Sequence, residues 1–450
     1  MFIGRQSQLD VLEELHDSGR PELFVLYGRR RVGKTELLQQ FCAKRKAVYF
    51  LAAQVREKDN LRAFRDAMKE GLGDPLLDGI EFPDWGAALQ FAAERAGDER
   101  LVIVLDEFPY LCEATKGLPS ILQRFWDMRG KNSSLMLVLC GSQVSFMERE
   151  VLAERSPLFG RRTAQRRLQP LSPTESLRFF DSWNVRERAL AYSILGGMPA
   201  YLRRFDDRET LRTNLLREML RPEGYLFDEV QFLLRNELNS PATYNSLLAA
   251  IARGHDRVGD IALQVGVEAA TAGKYLHVLR ELQLVDRVVP ITDPDPLRSR
   301  RGRYRIADRF LNFHFRHLVP NLSLIEAGRG ERVWETRIEP DLENLFDEAR
   351  VDFVLEHLQS QAAEVVGDEI VEVGRFAGEV VRAVARTASG TTLAALVLPE
   401  GCDSMPALER ELTELERVFG DRPRKLAYGL SNHPDRPLQV EWIPADVPLV

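Results

Sequence analysis

The chain has 450 residues, 44% hydrophobic and 29% charged, with a formal net charge of −7; at roughly 150 residues per domain this calls for about three domains of an ordinary folded protein and excludes disordered or fibrous classes. No run of about 18 uninterrupted apolar residues is present to cross a bilayer, and the start Met1–Gln8 lacks the basic-then-apolar pattern of a secretion signal, so a cytosolic location is expected. The acidic balance excludes a wholly electrostatic nucleic-acid coat protein while leaving room for a local basic patch.

The first informative element is an apolar run of strand length, Leu23–Tyr27, followed by Gly28-Arg29-Arg30-Arg31-Val32-Gly33-Lys34-Thr35 and then a helical pattern over Glu36–Phe41. Strand, glycine-bounded loop and helix form the context of a phosphate-binding loop. The glycines let successive N–H groups turn inward, Lys34 reaches the β/γ oxygens of a nucleotide, and Thr35 offers its hydroxyl to Mg²⁺. Residues Gly28 through Glu36 are therefore the expected ATP-binding segment. Four cysteines, at 42, 112, 140 and 402, have no Cys-x-x-Cys pairing or neighbouring histidines, and are read as reduced packing residues.

A second apolar run, Leu101–Leu105, ends in Asp106-Glu107. Five consecutive apolar residues suit a strand buried on both faces of a parallel sheet, with the acids at the C-terminal end where such sheets bind ligands. Asp106 is the expected magnesium holder and Glu107 the expected base on the hydrolytic water. A third run, Leu135–Cys140, ends in Gly141-Ser142-Gln143. The Ser142 hydroxyl has two readings, a hydrogen bond to the water or γ-phosphate, or an ordinary helix cap.

Together with Ser156-Pro157-Leu158-Phe159-Gly160-Arg161-Arg162, these motifs resemble the prokaryotic ATPases of the AAA+/STAND group, and within it the archaeal-type ATPases that carry a winged helix and a restriction-endonuclease-like C-terminal domain. The resemblance covers most of the chain. It implies an α/β fold: a P-loop parallel sheet (residues 1–172), a helical lid (173–235), a winged helix (236–325) and a small endonuclease-like domain (340–450). It further implies that Phe2, Gly4 and Arg5 belong to an N-terminal box lying against the adenine, and that Arg161 or Arg162 approaches a γ-phosphate of its own or a neighbouring subunit. There the charge would stabilise the transition state. The same arginines, with Arg166 and Arg167, also read as a solvated basic edge. Leu195-Gly196-Gly197-Met198-Pro199-Ala200 resembles the glycine-proline turn of the lid, which would put Pro199 near the nucleotide; a plain helix-to-helix turn explains the same residues.

Beyond the lid, helical spacing over Thr243–Ile251, a short helix and tight turn over Val258–Val267 and a longer helix over Glu268–Gln283 make a helix-turn-helix. Strand-like Leu284–Pro290 and Gly302–Ile306 follow, with Arg298, Arg300 and Arg301 between them. These arginines with Lys274 suit DNA phosphates, although the longer helix offers no Arg, Asn or Gln to read base edges before Arg280. A protein partner suits a winged helix equally well. The C-terminal region restarts with a helix from Leu342, then strand-like runs at Glu369–Val373, Glu379–Val384 and Thr391–Leu398. Nucleases of that fold need an acid on one strand and acid-x-Lys on the next. Here Glu379 is followed by apolar residues and Arg382, and Leu393–Glu400 carries neither motif member in place. The expectation is an endonuclease-like fold without nuclease activity, serving docking or dimerisation. The function expected is a Mg²⁺-dependent ATP-hydrolysing switch acting on a protein or DNA partner; the alternatives are a DNA-binding regulator in which ATP is structural and a nuclease gated by ATP.

Overall fold

In a computed structural model, residues 2–238, 240–293, 295, 298–299, 301–397, 405–428 and 441–442 are described, with 236, 405 and 441–442 by backbone alone. Arg300, Cys402 and the end of the third C-terminal run, Leu398–Glu400, lie outside the described residues. The chain divides into two compact units, one of residues 1–171 with 198–200 and one of residues 172–197 with 201–450.

The first unit is built on five parallel strands: β1 (Glu22–Tyr27), β2 (Ala47–Leu51), β3 (Leu101–Asp106), β4 (Leu135–Gly141) and β5 (Ala164–Arg167), in the order β2-β3-β4-β1-β5. Every residue of β1, β3 and β4 is buried, which is why their sequences run apolar without alternation. Helices α1 (Gln6–Asp17), α2 (Lys34–Cys42), α3 (Glu57–Leu72), α4 (Trp85–Ala96), α5 (Phe108–Ala114) and α6 (Leu118–Met128) accompany the sheet. At the β2 side, Phe50, Phe64 and Trp85 form a ring cluster with centroids 5.3 to 5.9 Å apart, a geometry that adds about 1 kcal/mol per pair beyond area burial. Because β4 lies between β1 and β3, its C-terminal end falls midway between the phosphate loop and the acidic pair.

In the second unit, α7 (Val185–Leu195) packs on α11 (Leu342–Ser360). Between them in sequence come α8 (Pro241–Ala252), α9 (Val258–Val265) and α10 (Ala269–Glu281), followed by an antiparallel pair, β6 (Val285–Val288) and β7 (Arg303–Ile306). Gly266 ends α9 in the left-handed region at φ 77°, the tight turn its position predicts. On α10, Ala272, Leu276 and Leu279 are buried, the helical spacing of a core-facing stripe.

The last sheet runs β12-β11-β10-β9-β8, with β8 (Ile370–Arg375), β9 (Val381–Thr387), β10 (Thr392–Val397), β11 (Arg424–Tyr428) and β12 (Glu441–Trp442). The strands β8, β9 and β10 are antiparallel in turn, and β11 returns parallel to β10 after helix α12 (Met405–Phe419). Alternate residues of β9 and β10 face opposite ways. Ala383, Ala385, Leu393 and Ala395 pack with Val354 and Leu358 of α11. Val384, Ala394 and Leu396 pack with Leu408, Leu412 and Leu415 of α12. Two helices thus cover both faces of the sheet, which accounts for the unbroken burial of β10.

Candidate functional site

The C-terminal ends of β1, β3 and β4 bring the expected residues together. Gly28 follows β1 where an added Cβ would lie 2.5 Å from the Leu168 carbonyl oxygen, so only glycine lets the chain turn off the strand there. Gly33 has φ 95°, and Pro199 is the nearest side chain to its missing Cβ, at 3.7 Å. Lys34 and Thr35 already lie in α2, two residues earlier than the apolar spacing from Glu36 suggests, so the loop N–H groups and the helix N-terminus share one anion-binding end.

Lys34 is only 5% exposed. Its Nζ donates to the carbonyl oxygens of Gly28 at 2.7 Å and Arg29 at 3.0 Å. Neutral carbonyls solvate a buried cation but do not neutralise it, and an anion held in the loop would. Val32 is anchored from the N-terminal segment: Arg5, buried and in the left-handed region at φ 69°, donates from Nη2 to the Val32 carbonyl at 2.8 Å. That bond ties the Phe2–Arg5 segment, with Gly4 also at φ 69°, to the loop. The Arg30 guanidinium donates to the Tyr110 hydroxyl on α5, and Arg31 holds φ 68°, a backbone strain typical of functional loops.

The acidic pair is organised around Asp106, which is 1% exposed. Its Oδ2 accepts the Thr35 hydroxyl at 2.8 Å and the Tyr49 hydroxyl from β2; its Oδ1 accepts the Glu107 backbone N–H at 2.9 Å. Burial and the neighbouring Asp106 carboxylate push the Tyr49 phenol above its ordinary range, so Tyr49 stays a neutral donor. The Cys140 thiol of β4 is raised as well, by burial first and by Asp106 second, which keeps it protonated beside the carboxylate.

Glu107 stands in the left-handed region at φ 54°, ψ 45°. Glutamate rarely adopts this conformation, and here it sets the carboxylate beside β4. Its Oε2 accepts the Ser142 hydroxyl at 2.8 Å and the Ser142 N–H at 3.4 Å. The next helical turn has Gln143 at its cap position without a side-chain cap bond, so Ser142 is held by Glu107 and not by a helix end.

Other expected residues stand elsewhere. Arg161 pairs with Asp127 of α6, Nη2 to Oδ2 at 3.0 Å, and Arg162 donates to the Leu152 carbonyl at 2.8 Å while lying over the Phe159 ring. In the second unit Lys274 is exposed on α10, and Arg298 is 90% exposed beside Asp295. In the last sheet, Glu379 precedes β9, and its N–H goes to Glu411 of α12 at 2.6 Å. The same carboxylate accepts from Val380 at 3.3 Å and Val381 at 2.8 Å.

Tyr49 and Tyr110 were not foreseen. Their sequence signal is slight: Tyr49 sits in an apolar strand two residues before Leu51, and only the registration of Leu51 with Asp106 reveals its reach.

Among known proteins, the family described as an ATPase domain predominantly from Archaea matches residues 2–205. An uncharacterized protein of Methanocaldococcus jannaschii is 34% identical over 328 residues, 73% of this chain and 71% of that protein. An uncharacterized ATP-binding protein of the same organism is 44% identical over 46 residues, 10% of this chain and 78% of that protein. A Walker-type ATPase of Pyrococcus abyssi superposes with a TM-score of 0.54 at 20% identity, covering 70% of this chain and 96% of that one, a likeness of fold.

Proposed function

Since this chain belongs to the family of ATPase domains found predominantly in Archaea, we propose that it is a Mg²⁺-dependent ATP hydrolase working as a switch. The observation that carries the reading is the 2.8 Å hydrogen bond between Thr35 and Asp106, residues 71 positions apart that meet where one metal ion needs both. A hydroxyl and a carboxylate side by side are hard oxygen donors of the kind magnesium takes, so the donor set fits. Thr35 and Asp106 would hold the ion, and its positive charge would offset the negative charge that develops on the phosphates.

The protein's own residues do the rest. Loop N–H groups and Lys34 hold the phosphates. Glu107, aimed by its strained backbone and by Ser142, accepts the proton of the attacking water. Tyr49 fixes the Asp106 carboxylate. A Tyr49→Phe change removes one hydrogen bond to a charged group, worth about 1.5 kcal/mol. The Mg²⁺ concentration for half-maximal hydrolysis is expected to rise about tenfold, read from phosphate release across a magnesium titration. An unchanged magnesium dependence would take Tyr49 out of the site.

The switch part of the reading rests on connectivity. Residues 198–200 group with the first unit, and their chain neighbours on both sides with the second. Pro199 beside Gly33 is thus placed to report nucleotide state along the chain. We read residues 236–325 as a winged helix, supported by three helices followed by an antiparallel pair. The order helix, three antiparallel strands, helix and parallel strand supports an endonuclease-like reading of residues 340–450. Absence of nuclease activity is supported by Glu411, whose carboxylate is committed to the N–H groups of Glu379, Val380 and Val381 at the start of β9. Hydrogen exchange over residues 196–202, compared between ATP and ADP, tests the switch: different protection is expected, and identical protection would contradict it.

A further inference from the structure

Within the second unit, α10, β6 and β7 face α11 and β8 across an open cleft of about 670 Å³. Four guanidinium groups line it: Arg280 from α10, Arg287 and Arg305 from the hairpin, and Arg375 from β8. Two acids line it as well, and both are engaged. Asp286 takes Arg305 at 2.8 Å, and Glu281 takes His277 at 3.2 Å.

Arg375 pairs with Asp352, but the same carboxylate takes the buried Arg309, so two arginines share one partner there, Glu348 easing only the second. Burial, followed by repulsion from Arg305 and Arg309, brings the Arg375 guanidinium down to about 10. The Arg305 Nε is buried with no acceptor among the described residues. Arg280 is exposed and makes no ion pair among them. Along α10, Lys274 and His277 are exposed in register with Arg280, three residues apart on one helix face, and carry the basic stripe out of the cleft.

Such a surface calls for a ligand with phosphates spaced along its length. The apolar lining is Val285, Val288, Val289, Leu355 and Val373, with no Phe, Tyr or Trp ring on which an unpaired base would stack, and the one imidazole, His277, is taken by Glu281. This favours a strand whose bases are already paired. The exposed side chains of α10 before Arg280 include no Arg, Asn or Gln to read base edges in two-point contacts, which favours contact with the backbone. We propose that this cleft takes the sugar–phosphate backbone of duplex DNA without sequence preference, with Arg280, Arg287, Arg305 and Arg375 as its phosphate ligands. The assignment stands apart from the ATPase reading, because it needs no nucleotide.

The test is fluorescence anisotropy of the full-length chain with a labelled mixed-sequence duplex of about 25 base pairs, without ATP, across roughly 50 to 200 mM salt. The expected slope of log K against log salt is about −3 to −4, for three or four phosphates neutralised. Arg280→Glu, which breaks no side-chain ion pair or hydrogen bond among the described residues, is expected to weaken binding at least about tenfold and flatten the slope by about one. Its ATP hydrolysis and melting midpoint should stay at wild-type values. Wild-type-like binding by Arg280→Glu, or no salt-dependent binding by the wild type, overturns the proposal. So does loss of binding in Arg301→Ala alone, which puts the phosphates on the hairpin connection, or a single strand that outcompetes the duplex.

Discussion

Lys34→Ala weakens ATP binding by at least about 30-fold while leaving the fold intact. The two halves of that outcome have separate causes. In the structure the Lys34 ammonium is buried and donates only to the carbonyl oxygens of Gly28 and Arg29, so its removal takes away a charge that the free protein has to solvate without a carboxylate partner. Stability should therefore change little, with a melting midpoint within a few degrees of the wild type. Binding a triphosphate is the reverse case, because the same ammonium meets fully charged oxygens out of water. Truncating one side of such a pair costs about 2–5 kcal/mol, which at about 1.4 kcal/mol per decade is a loss of roughly 30- to 3000-fold in affinity. Competition with a fluorescent ATP analogue reads the affinity, and scanning fluorimetry reads the fold. A variant that melts early, or one that binds like the wild type, would each count against the role of Lys34.

Glu107→Gln separates binding from turnover. The amide keeps an oxygen for the Ser142 hydroxyl, which now donates to Oε2 at 2.8 Å, and leaves the Glu107 N–H on Asp106. The shape of the site survives, and ATP affinity should stay within about threefold. What is lost is the proton acceptor, and a positioned general base contributes about 10²- to 10⁴-fold to rate. Phosphate release should fall by that factor with ATP still bound, so this variant also serves as a trap for capturing a partner. Hydrolysis at the wild-type rate would remove Glu107 as the base.

How far the sequence foretells this site depends on how local each feature is. The phosphate loop and acidic pair are legible because each lies within one short segment: a buried strand and the residues that leave it. Ser142 is half-legible. Its strand is plain, but its meeting with Glu107 follows from β4 lying between β1 and β3, an order that periodicity does not encode. Tyr49 is hidden for the same reason, since its partner lies across the β2–β3 register. The left-handed backbone of Glu107 gives no sign in the chain, glutamate being an uncommon residue for it. In the last sheet, the run read from Glu379 becomes strand only at Val381, and the N–H groups of Glu379, Val380 and Val381 all go to Glu411, 30 to 32 residues away, a long-range contact that local pattern does not encode. Arg161 and Arg162 illustrate the converse. A motif marks them, while the structure puts them on Asp127 and the Leu152 carbonyl.

The central claim is that one pocket, at the ends of β1, β3 and β4, wraps a triphosphate and its magnesium. Isothermal titration of ATP into Glu107→Gln protein, with magnesium and again with the metal chelated, tests it most directly. The prediction is a saturable heat with one ATP per chain, and an affinity at least about tenfold weaker once Thr35 and Asp106 have no ion to share. Absence of any saturable heat in magnesium would contradict it.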